Sequence, residues 1–413
     1  MISIYRILIN LILLISPLIV IFRLINKKED PKRFLEKFTL FSKKRKNGKL
    51  IWFHAVSVGE LLSIISLIKA LEKNKKISQI LITTSTLTSS KLFTKFKFKK
   101  VIHQYYPVDN NFLTKRFLKF WKPCLAIFVD SEIWPNMLLN LKKESIKKIL
   151  LNARVSKKSY LKWKKLGSFS KNLFQSFDYT FPQNQESQKY LKKFNVKNIE
   201  VLGNLKFSQN DNYNKKLDLN FRNFIKSKKI WCATSTHPGE EEICAKIHTK
   251  LLSRFKNLVL IIIPRHTERA QSILKILSNY KLFYHLHSNK SSIDKMTNIY
   301  LVDTYGETNL FFDICKTVFI GKSLTIDGGQ NPLEPARHNC SILHGPHVSN
   351  FTEIYAFLDN KKISYKISNE NNLYNKIYSL IKNKNDSKNI KNKLNSLGIK
   401  ILNNNKKKIE SLI

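Results

Sequence analysis

The stretch IWFHAVSVGELLSIISLIKAL, residues 51–71, decides the fold class of this chain. Its first three residues favour a β-strand, and the apolar residues in its second half recur at the spacing of a helix's buried face. Residues 57–59 lie between these segments and predict a tight turn. Glu60 is therefore expected at the start of a helix, directly after a strand.

The position predicted for Glu60 allows two interpretations. In open α/β sheets, ligands bind beyond the carboxyl ends of the strands, where helix amino ends present unpaired N–H groups. A carboxylate at that place is a candidate general base. The same local pattern fits a carboxylate that only stabilises the helix dipole, and the sequence leaves both interpretations open.

The rest of the chain repeats the order of strand, polar turn and helix, which is typical of a doubly wound parallel sheet. A helix is expected at residues 91–98, and a polar, Asn-rich boundary at 208–220. The predicted strands are 79–84, 101–105, 125–129, 149–151 and 201–202 before this boundary, and 230–233, 258–263, 299–302 and 317–320 after it. We expect a membrane anchor at 1–26, one domain at 27–210, a second at 221–390 and a C-terminal helix at 391–413.

The charge of the chain is extreme, since 73 Lys and Arg residues against 29 Asp and Glu residues give a net charge of +44 over 413 residues. Such a charge suits nucleic acid, an anionic membrane surface or an anionic substrate. Compositional drift towards Lys, Asn and Ile explains it equally well. The basic C-terminal tail has no interleaved aromatic ladder, so a nucleic-acid partner is not expected.

The cysteines and the motifs indicate no metal and no cofactor. Five cysteines without a CxxC pair predict a reducing compartment and no structural zinc. The spacings of zinc proteases and EF-hands are missing from the sequence as well.

Residues 7–25 form an apolar run that is long enough, at about 1.5 Å per residue, to cross the roughly 30 Å core of a bilayer. Lys27, Lys28 and Lys32 follow it, and by the positive-inside rule they keep the rest of the chain in the cytoplasm. A signal peptide is disfavoured because no A-x-A cleavage site follows. A helix that is broken at Pro17 and only lies in the interface remains an alternative.

Two further segments place polar side chains at predicted strand ends. Asp130 and Glu132 directly follow the strand at 125–129, where they are either functional or merely solvated. In DGGQNPLEPA, residues 327–336, the paired glycines allow close backbone approach, Asn331 can cap a helix and Pro332 suits its first position. Glu334 would then accept hydrogen bonds from a ribose, although an ordinary strand–helix turn has the same pattern.

Together these segments resemble the Kdo transferases, the 3-deoxy-D-manno-octulosonic acid transferases of lipopolysaccharide synthesis. The resemblance runs from about residue 33 to about residue 357. The motifs that carry it, in chain order, are HAVSVGE (54–60), TTST (83–86), SEIWPN (131–136), NAR (152–154), GNLK (203–206), STHPGEEE (235–242), PRH (264–266), TYGE (304–307), GGQNPLEPA (328–336) and GPH (345–347).

The resemblance implies a GT-B fold, in which two Rossmann-like α/β domains face each other across a cleft, with an N-terminal membrane-anchor helix. It implies an inverting, metal-independent transfer of Kdo from CMP-Kdo to the lipid A precursor. The enzyme would then be held at the cell inner membrane with its body on the cytoplasmic face. The alternative is another GT-B nucleotide-sugar transferase of cell-envelope synthesis.

The resemblance also implies roles for individual residues. Glu60 falls at the position of the general base, and Asp130 and Lys206 fall where the family stabilises the transition state. The family usually has Glu in place of Asp130, so either the backbone compensates for the shorter side chain or Glu132 has taken part of the role. The positions that match CMP binding are Pro264, Arg265, His266, Tyr305, Gly306, Glu307, Asn331, Pro332, Leu333 and Glu334.

Overall fold

The computed structural model of the chain describes residues 1–209, 217–383 and 390–413. It divides into two compact units: the first is Met1–Asn210 with Ser396–Ile413, and the second is Asp211–Asn395. Each unit is built on a parallel sheet of its own. Most of the boundary expected at 208–220 lies outside the described residues.

Within residues 1–209, six parallel strands form one sheet in the order β3-β2-β1-β4-β5-β6. This is the strand order of a Rossmann sheet, in which the chain moves outward from β1 on one side and then returns to build the other side from β4. The strands are β1 (Leu50–His54), β2 (Gln79–Thr84), β3 (Val101–Tyr105), β4 (Leu125–Val129), β5 (Lys147–Ala153) and β6 (Tyr179–Pro182).

Helices alternate with these strands because parallel neighbours need crossover connections. Short 3-10 helices at Phe34–Phe38 and Leu205–Ser208 accompany them. The α-helices are α1 (Ile2–Ile25), α2 (Val58–Leu71), α3 (Leu87–Phe93), α4 (Asn111–Trp121), α5 (Pro135–Lys143), α6 (Lys157–Lys164), α7 (Ser168–Gln175) and α8 (Gln185–Lys193).

The strands β1 and β4 are the centre of this sheet, and all their residues are buried. Burial of every residue is typical of parallel strands that are covered on both faces, and it explains their continuous apolar sequences. Trp52 in β1 is fully buried, and its indole Nε1 donates a hydrogen bond to Thr83 Oγ1 at 2.9 Å. The carboxyl ends of β1 and β4 are thus fixed by a dense core.

Three sequence expectations for the first unit were wrong in detail. The helix expected at 91–98 is α3, which begins earlier because Thr86 Oγ1 caps it by accepting from Ser89 N at 3.2 Å. The tight turn expected at 57–59 is largely the first turn of α2, capped by Ser57. Residues 201–202 form no strand in the described part of the chain.

The C-terminal helix α16 (Ile390–Glu410) begins one residue before the segment expected at 391–413 and ends three residues before its end, and residues 396–413 belong to the first unit. Gly398 allows this packing, because a Cβ atom there would lie 2.3 Å from Phe207 O. Asn74 Nδ2 also donates to Glu410 Oε1 at 2.8 Å. The first unit therefore combines segments from both ends of the sequence.

Over residues 217–383, seven parallel strands form the second sheet in the order β13-β12-β11-β7-β8-β10-β9. The direction of winding reverses between β7 and β11. The strands are β7 (Lys229–Thr236), β8 (Leu258–Pro264), β9 (Tyr284–Leu286), β10 (Ile299–Leu301), β11 (Thr317–Ile320), β12 (Ser341–His344) and β13 (Ser364–Lys366). The α-helices are α9 (Leu219–Ile225), α10 (Glu240–Leu252), α11 (Ala270–Ser278), α12 (Thr308–Phe312), α13 (Leu333–Arg337), α14 (Thr352–Asn360) and α15 (Glu370–Lys382).

The N-terminal helix α1 starts at Ile2, five residues before the apolar run expected at 7–25. Pro17 lies inside it without ending it. Among the described residues, α1 is the one helix that is long and apolar enough to cross a membrane.

Candidate active site

The candidate active site of the first unit lies where its sheet changes winding direction, between β1 and β4. Glu60 stands in the first turn of α2, the helix that follows β1, while Asp130 and Glu132 come directly after β4. Parallel strands end at the same edge, so loops after the two central strands converge on one crevice. Ligands of open α/β sheets bind at this point.

The local structure around Glu60 is a reciprocal helix cap. Ser57 Oγ accepts a hydrogen bond from Glu60 N at 3.3 Å, and the Glu60 carboxylate reaches back over the helix end. Its Oε2 accepts from Val56 N at 2.7 Å and its Oε1 from Ser57 Oγ at 2.8 Å. The sequence S-x-x-E encodes this arrangement. Glu60 therefore does serve as a capping residue.

The electrostatics of Glu60 go beyond a cap. Hydrogen bonds to a carboxylate at a helix amino end normally lower its pKa. Burial, reinforced by the negative charges of Glu132 and Asp130, instead raises the pKa of Glu60 to about 7, against the two hydrogen bonds. A carboxylate with a pKa near the operating pH has the property required of a general base.

Asp130 is held in an unusual backbone conformation at the end of β4. Its φ is 64°, in the left-handed region that is uncommon for residues other than Gly, although Asp and Asn adopt it more often than most. Asp130 N donates to Leu151 O at 3.0 Å, and Asp130 O accepts from Arg154 N at 3.2 Å. Hydrogen bonds through both backbone groups of Asp130 thus hold it against the end of β5. Ser131 Oγ donates a further hydrogen bond to the Asp130 carboxylate at 2.9 Å.

Two cations lie close enough to Asp130 to act on its charge. Burial raises the pKa of the Asp130 carboxyl, while Lys206 and Arg154 oppose that rise and Glu132 adds to it. A charged group in this position is expected to hold its cationic neighbours in place. The cations Lys206 and Arg154 therefore lower the pKa of Asp130, whereas the acids Glu132 and Asp130 raise the pKa of Glu60.

Glu132 is anchored by aromatic neighbours. Its Oε2 accepts from Trp134 Nε1 at 2.8 Å and lies 3.6 Å from His54 Nε2. His54 is fully buried, stacks on Tyr106 with ring centroids 3.8 Å apart, and contacts Thr83 Oγ1 through Nδ1 at 3.0 Å. The imidazole can therefore turn only one nitrogen towards the acids of the site.

Lys206 reaches this cluster from the short helix Leu205–Ser208. Asn204 Oδ1 accepts from Lys206 N at 3.0 Å, and Asn152 Oδ1, at the end of β5, accepts from Leu205 N at 2.9 Å. Two asparagine side chains thus fix the segment that carries the lysine. The motifs NAR and GNLK, about 50 residues apart in the sequence, are joined here.

The first unit therefore brings together all four of its predicted site residues, Glu60, Asp130, Glu132 and Lys206. The sequence analysis did not single out His54 and Arg154, although both lie within quoted motifs. Their signal was their position, since each lies at the carboxyl end of a predicted strand or just beyond it. Over the described ranges, no three His, Cys, Asp or Glu side chains converge closely enough to hold a metal ion.

The second unit has an acid at the equivalent place, in the first turn of the helix after its first strand. Glu240 is fully buried, and its carboxylate accepts hydrogen bonds from four backbone N–H groups. The donors are His237 N (3.0 Å), Lys322 N (2.8 Å), Ser323 N (3.1 Å) and Leu324 N (3.2 Å). One carboxylate thus joins residue 237, just after β7, to residues 322–324, just after β11.

The segment after β8 carries exposed cationic and imidazole side chains. Pro264 ends the strand and is buried, whereas Arg265 and His266 are exposed. Arg265 N donates to Thr236 O at 3.2 Å, which ties this segment to the end of β7. His266 Nδ1 lies 3.5 Å from Glu268 Oε1.

The segment after β10 contains an exposed tyrosine and a glutamate that contacts other side chains of the second unit. Tyr305 is 77% exposed, and Gly306 has a positive φ of 86° that suits glycine. Glu307 Oε2 accepts from Thr304 Oγ1 at 2.8 Å and lies 3.1 Å from His287 Nε2. Glu307 is thus partly occupied by its own unit.

The segment 327–336 has the glycine geometry that the sequence suggested. Gly328 and Gly329 have φ values of 134° and 67°, and a Cβ atom on Gly328 would lie 2.9 Å from Asn350 Nδ2. Asn331 Oδ1 accepts from Leu333 N at 3.2 Å, and Asn331 Nδ2 donates to Glu334 Oε1 at 3.4 Å.

The helix in this segment begins one residue later than expected. Pro332 is the capping residue and α13 starts at Leu333, so the prediction of Pro332 as the first helical residue was wrong by one position. Leu333 is fully buried, while Glu334 stays in the first turn, as expected.

Comparison with known proteins identifies the family. Residues 32–209 match the family model described as 3-deoxy-D-manno-octulosonic-acid transferase (kdotransferase). The 3-deoxy-D-manno-octulosonic acid transferase of Rickettsia bellii is 34% identical over 95% of this chain and 93% of its own length. The chain belongs to the Kdo transferase family. The enzyme of the same name from Haemophilus influenzae is 32% identical over 75% of this chain and 73% of its own length.

Solved structures confirm the fold of this family member. The UDP-GlcNAc 2-epimerase of Neisseria meningitidis, in a structure with UDP-GlcNAc, matches it with a TM-score of 0.59 over 89% of this chain and 99% of that protein, at 14% identity. At this identity the likeness shows the fold alone. The chain is a glycosyltransferase with the predicted GT-B-like α/β fold of two parallel sheets, with an apolar helix at the N-terminus.

Proposed function

We propose that the chain transfers Kdo, with inversion and without a metal, from CMP-Kdo to the lipid A precursor lipid IVA in lipopolysaccharide core biosynthesis. The proposal rests on the family of the chain and on the place of Glu60, a carboxylate in the first turn of α2 whose pKa is raised to about 7 by burial and by the neighbouring acids Glu132 and Asp130. A sugar hydroxyl is a weak nucleophile at neutral pH, so its attack requires a positioned base.

In this mechanism Glu60 accepts the proton of the acceptor hydroxyl as that oxygen attacks the anomeric carbon of Kdo. The bond from this carbon to a phosphate oxygen breaks at the same time, and CMP leaves with the bonding electrons. Attack from the face opposite to the leaving group inverts the anomeric centre. The two hydrogen bonds from Val56 N and Ser57 Oγ orient the Glu60 carboxylate before the proton is transferred.

The cations of the first unit have a supporting role. Lys206 is the group that we assign to stabilising charge in the transition state, because Asp130 and the two asparagines Asn152 and Asn204 fix its place. Electrostatic stabilisation of this kind depends on groups that need no rearrangement during the reaction. Asp130 serves here as the orienting partner of Lys206, and Glu132 sets the pKa of Glu60 together with it.

We assign the donor nucleotide to the second unit. Arg265, exposed beyond β8, would neutralise the single phosphate of CMP, and Glu334 would accept from the ribose hydroxyls. His266 and the segments 305–307 and 331–333 would surround them. A monophosphate leaving group carries less charge than a diphosphate, so a helix end and one arginine are sufficient without a metal.

The acceptor proposed here is a bis-phosphorylated lipid of the cell inner membrane, with the enzyme on its cytoplasmic face. The apolar helix α1 and the +44 charge of the chain support this location, because an anionic leaflet attracts cations close to its surface.

The test is an assay of the purified full chain with CMP-Kdo and lipid IVA, in which products are weighed by mass spectrometry and free CMP is measured. We expect acceptor mass to increase by whole Kdo units, with one CMP released for each. The mass also gives the number of Kdo residues added. The control replaces CMP-Kdo with UDP-sugars. Transfer from a UDP-sugar, with CMP-Kdo inert, would favour the alternative of another GT-B transferase of cell-envelope synthesis.

A further inference from the structure

The two sides of helix α1 are different along its entire length. Side chains on one stripe are half-buried or buried, and they recur every three or four residues, as one face of a helix requires. This stripe contains Ile2, Tyr5, Ile9, Leu13, Ser16 and Val20. The opposite arc is exposed and wholly apolar, with Ile4, Leu11, Leu14, Leu18, Phe22 and Ile25 along it.

The N-terminal third of α1 is fixed to the body by polar contacts. Tyr5 OH donates to Asp109 Oδ2 at 2.8 Å, and Arg6 Nε donates to Asn136 Oδ1 at 2.9 Å. Asn10 Oδ1 accepts from Asn110 Nδ2 at 2.7 Å.

The groups that receive these contacts are rigid parts of the body. Asp109 and Asn136 are almost completely buried. Asp109 also accepts from the backbone N–H groups of Asn136 and Met137, both at 2.9 Å, at the start of α5. The attachment of α1 therefore rests on groups that the core already holds in place.

The C-terminal end of α1 is fixed to the same unit. Arg23 Nε donates to Glu29 Oε2 at 3.0 Å, and Lys37 Nζ donates to the same oxygen at 2.7 Å. Glu29 is 3% exposed. Lys37 is tied to the sheet edge in turn, because its carbonyl accepts from Val108 N at 2.9 Å.

A membrane-spanning helix cannot have both of these attachments. The 24 residues of α1 extend about 36 Å, and the ends of a spanning helix lie on opposite sides of a hydrocarbon core of about 30 Å. The first unit holds the N-terminal third through Tyr5, Arg6 and Asn10, and the C-terminal end through Arg23. If the C-terminal end and the body lie on one side of a bilayer, a spanning helix would carry Tyr5 and Arg6 to the other side, out of reach of Asp109 and Asn136.

We propose that α1 does not cross the membrane but lies in its interface as a monotopic anchor, with the exposed apolar arc in the acyl region and the first unit seated on the other side. The partner surface is an anionic lipid leaflet. Lys27 and Lys28 are exposed at one end of the arc. Near the other end, Phe112 is 66% exposed at the start of α4, which continues with Lys115 and Arg116. Apolar surface flanked by cations is the composition of interfacial anchors.

This inference uses the membrane association in the proposed function but not the transfer reaction. Its test is the topology of the full chain bound to the outside of sealed anionic vesicles. Cys124, the exposed native thiol, is replaced by serine, and the other four cysteines are buried. Ser3→Cys and Asn26→Cys, placed at the two ends of α1, are then treated with a membrane-impermeant maleimide before and after detergent.

We expect both thiols to react at comparable rates before detergent, because both ends of α1 lie on the outer side. Leu11→Cys, in the middle of the apolar arc, is the buried control and should react only after detergent. Reaction of Ser3→Cys only after detergent, with Asn26→Cys reactive throughout, would show a spanning helix and overturn the inference. A chain that does not float with the vesicles would overturn it too, whereas CMP release measured separately reports on the transfer reaction.

Discussion

Glu60 and Glu240 occupy matching places in the two units, and their surroundings give them opposite properties. Each lies in the first turn of the helix that follows the first strand of its sheet, at the point where the winding direction changes. Four backbone N–H groups surround the Glu240 carboxylate. Glu60 has two donors and two acidic neighbours, which raise its pKa to about 7 together with burial.

The comparison shows how one side chain at one position acquires either a structural or a chemical role. Donors on every side saturate the lone pairs of a carboxylate and join the loops that supply them, as Glu240 joins the ends of β7 and β11. A carboxylate with unused lone pairs, partial burial and negative neighbours has a raised affinity for a proton instead. The role of each carboxylate thus depends on whether the neighbouring loops contribute hydrogen-bond donors, as around Glu240, or negative charges, as around Glu60.

The largest effect that the comparison predicts is on turnover in Glu60→Gln. The amide keeps the size and the acceptor oxygen for Val56 N but cannot take up a proton at neutral pH, so turnover should fall by about 10²–10⁴-fold. Kdo transfer measured by CMP release, with thermal unfolding of the same sample, tests this. Near-normal turnover would leave Glu60 as a cap only and move the role of base to Glu132 or Asp130.

The second effect is on stability, in Glu240→Gln. The new amide group would face backbone N–H donors, leaving about two of them unpaired at about 1–3 kcal/mol each. We expect a clearly lower unfolding midpoint in thermal denaturation followed by circular dichroism. The matched control is Glu242→Gln, the same change at an exposed position of the same helix, which should stay within about 0.5 kcal/mol of the parent. Equal midpoints for both variants would contradict the structural role of Glu240.

The third effect concerns the nucleotide site proposed for the second unit. Arg265→Ala and Glu334→Ala should each weaken CMP binding by about 1–3 kcal/mol, which is about 5- to 150-fold in Kd, through loss of a charged hydrogen bond. Isothermal titration with CMP measures this. Arg254→Ala, an exposed arginine just before the amino end of β8, is the control and should bind CMP as the parent does. Unchanged affinity in both site variants would rule out the proposed donor site.

The smallest effect is a shift of the pH dependence. Since Glu60 must be ionised to act as a base, turnover should rise with pH through about 7 and then level off. Glu132→Gln removes a negative charge beside Glu60, which lowers its pKa and should move the rise towards lower pH. A profile of turnover from pH 5 to 9 for both proteins measures the shift. A rise that stays in place or moves to higher pH would show that Glu132 does not act on the base.

Most strands of the two sheets were predictable from the sequence, while four short ones were not. The expected bounds 79–84, 101–105, 125–129 and 317–320 agree with β2, β3, β4 and β11 to the residue, and most of these are the apolar runs that are typical of buried parallel strands. The sequence analysis missed β6, β9, β12 and β13, which have only three or four residues each. Such short strands carry too little periodicity to separate them from loops.

The residues of the candidate site were predictable one by one, but their grouping was not. Each strand end carried a polar side chain, and the family motifs selected Glu60, Asp130 and Lys206 among them. That Lys206 lies close enough to lower the pKa of Asp130 depends on the path of residues 203–208 over the end of β5. The sequence contains no local signal for that path.

The sequence by itself determined the family, the alternation of strands and helices, the capping of α2 by Ser57 and Glu60, and the presence of an apolar helix at the N-terminus. These features depend on residues that are near in the chain, where hydrogen-bonding groups and apolar spacing act directly. Tertiary structure alone decided that Glu60 has a pKa near 7, that Glu240 is saturated, and that α1 is fixed to the first unit near both of its ends. Burial and charge at a side chain depend on segments that are distant in sequence, because desolvation and Coulomb interactions are summed over space.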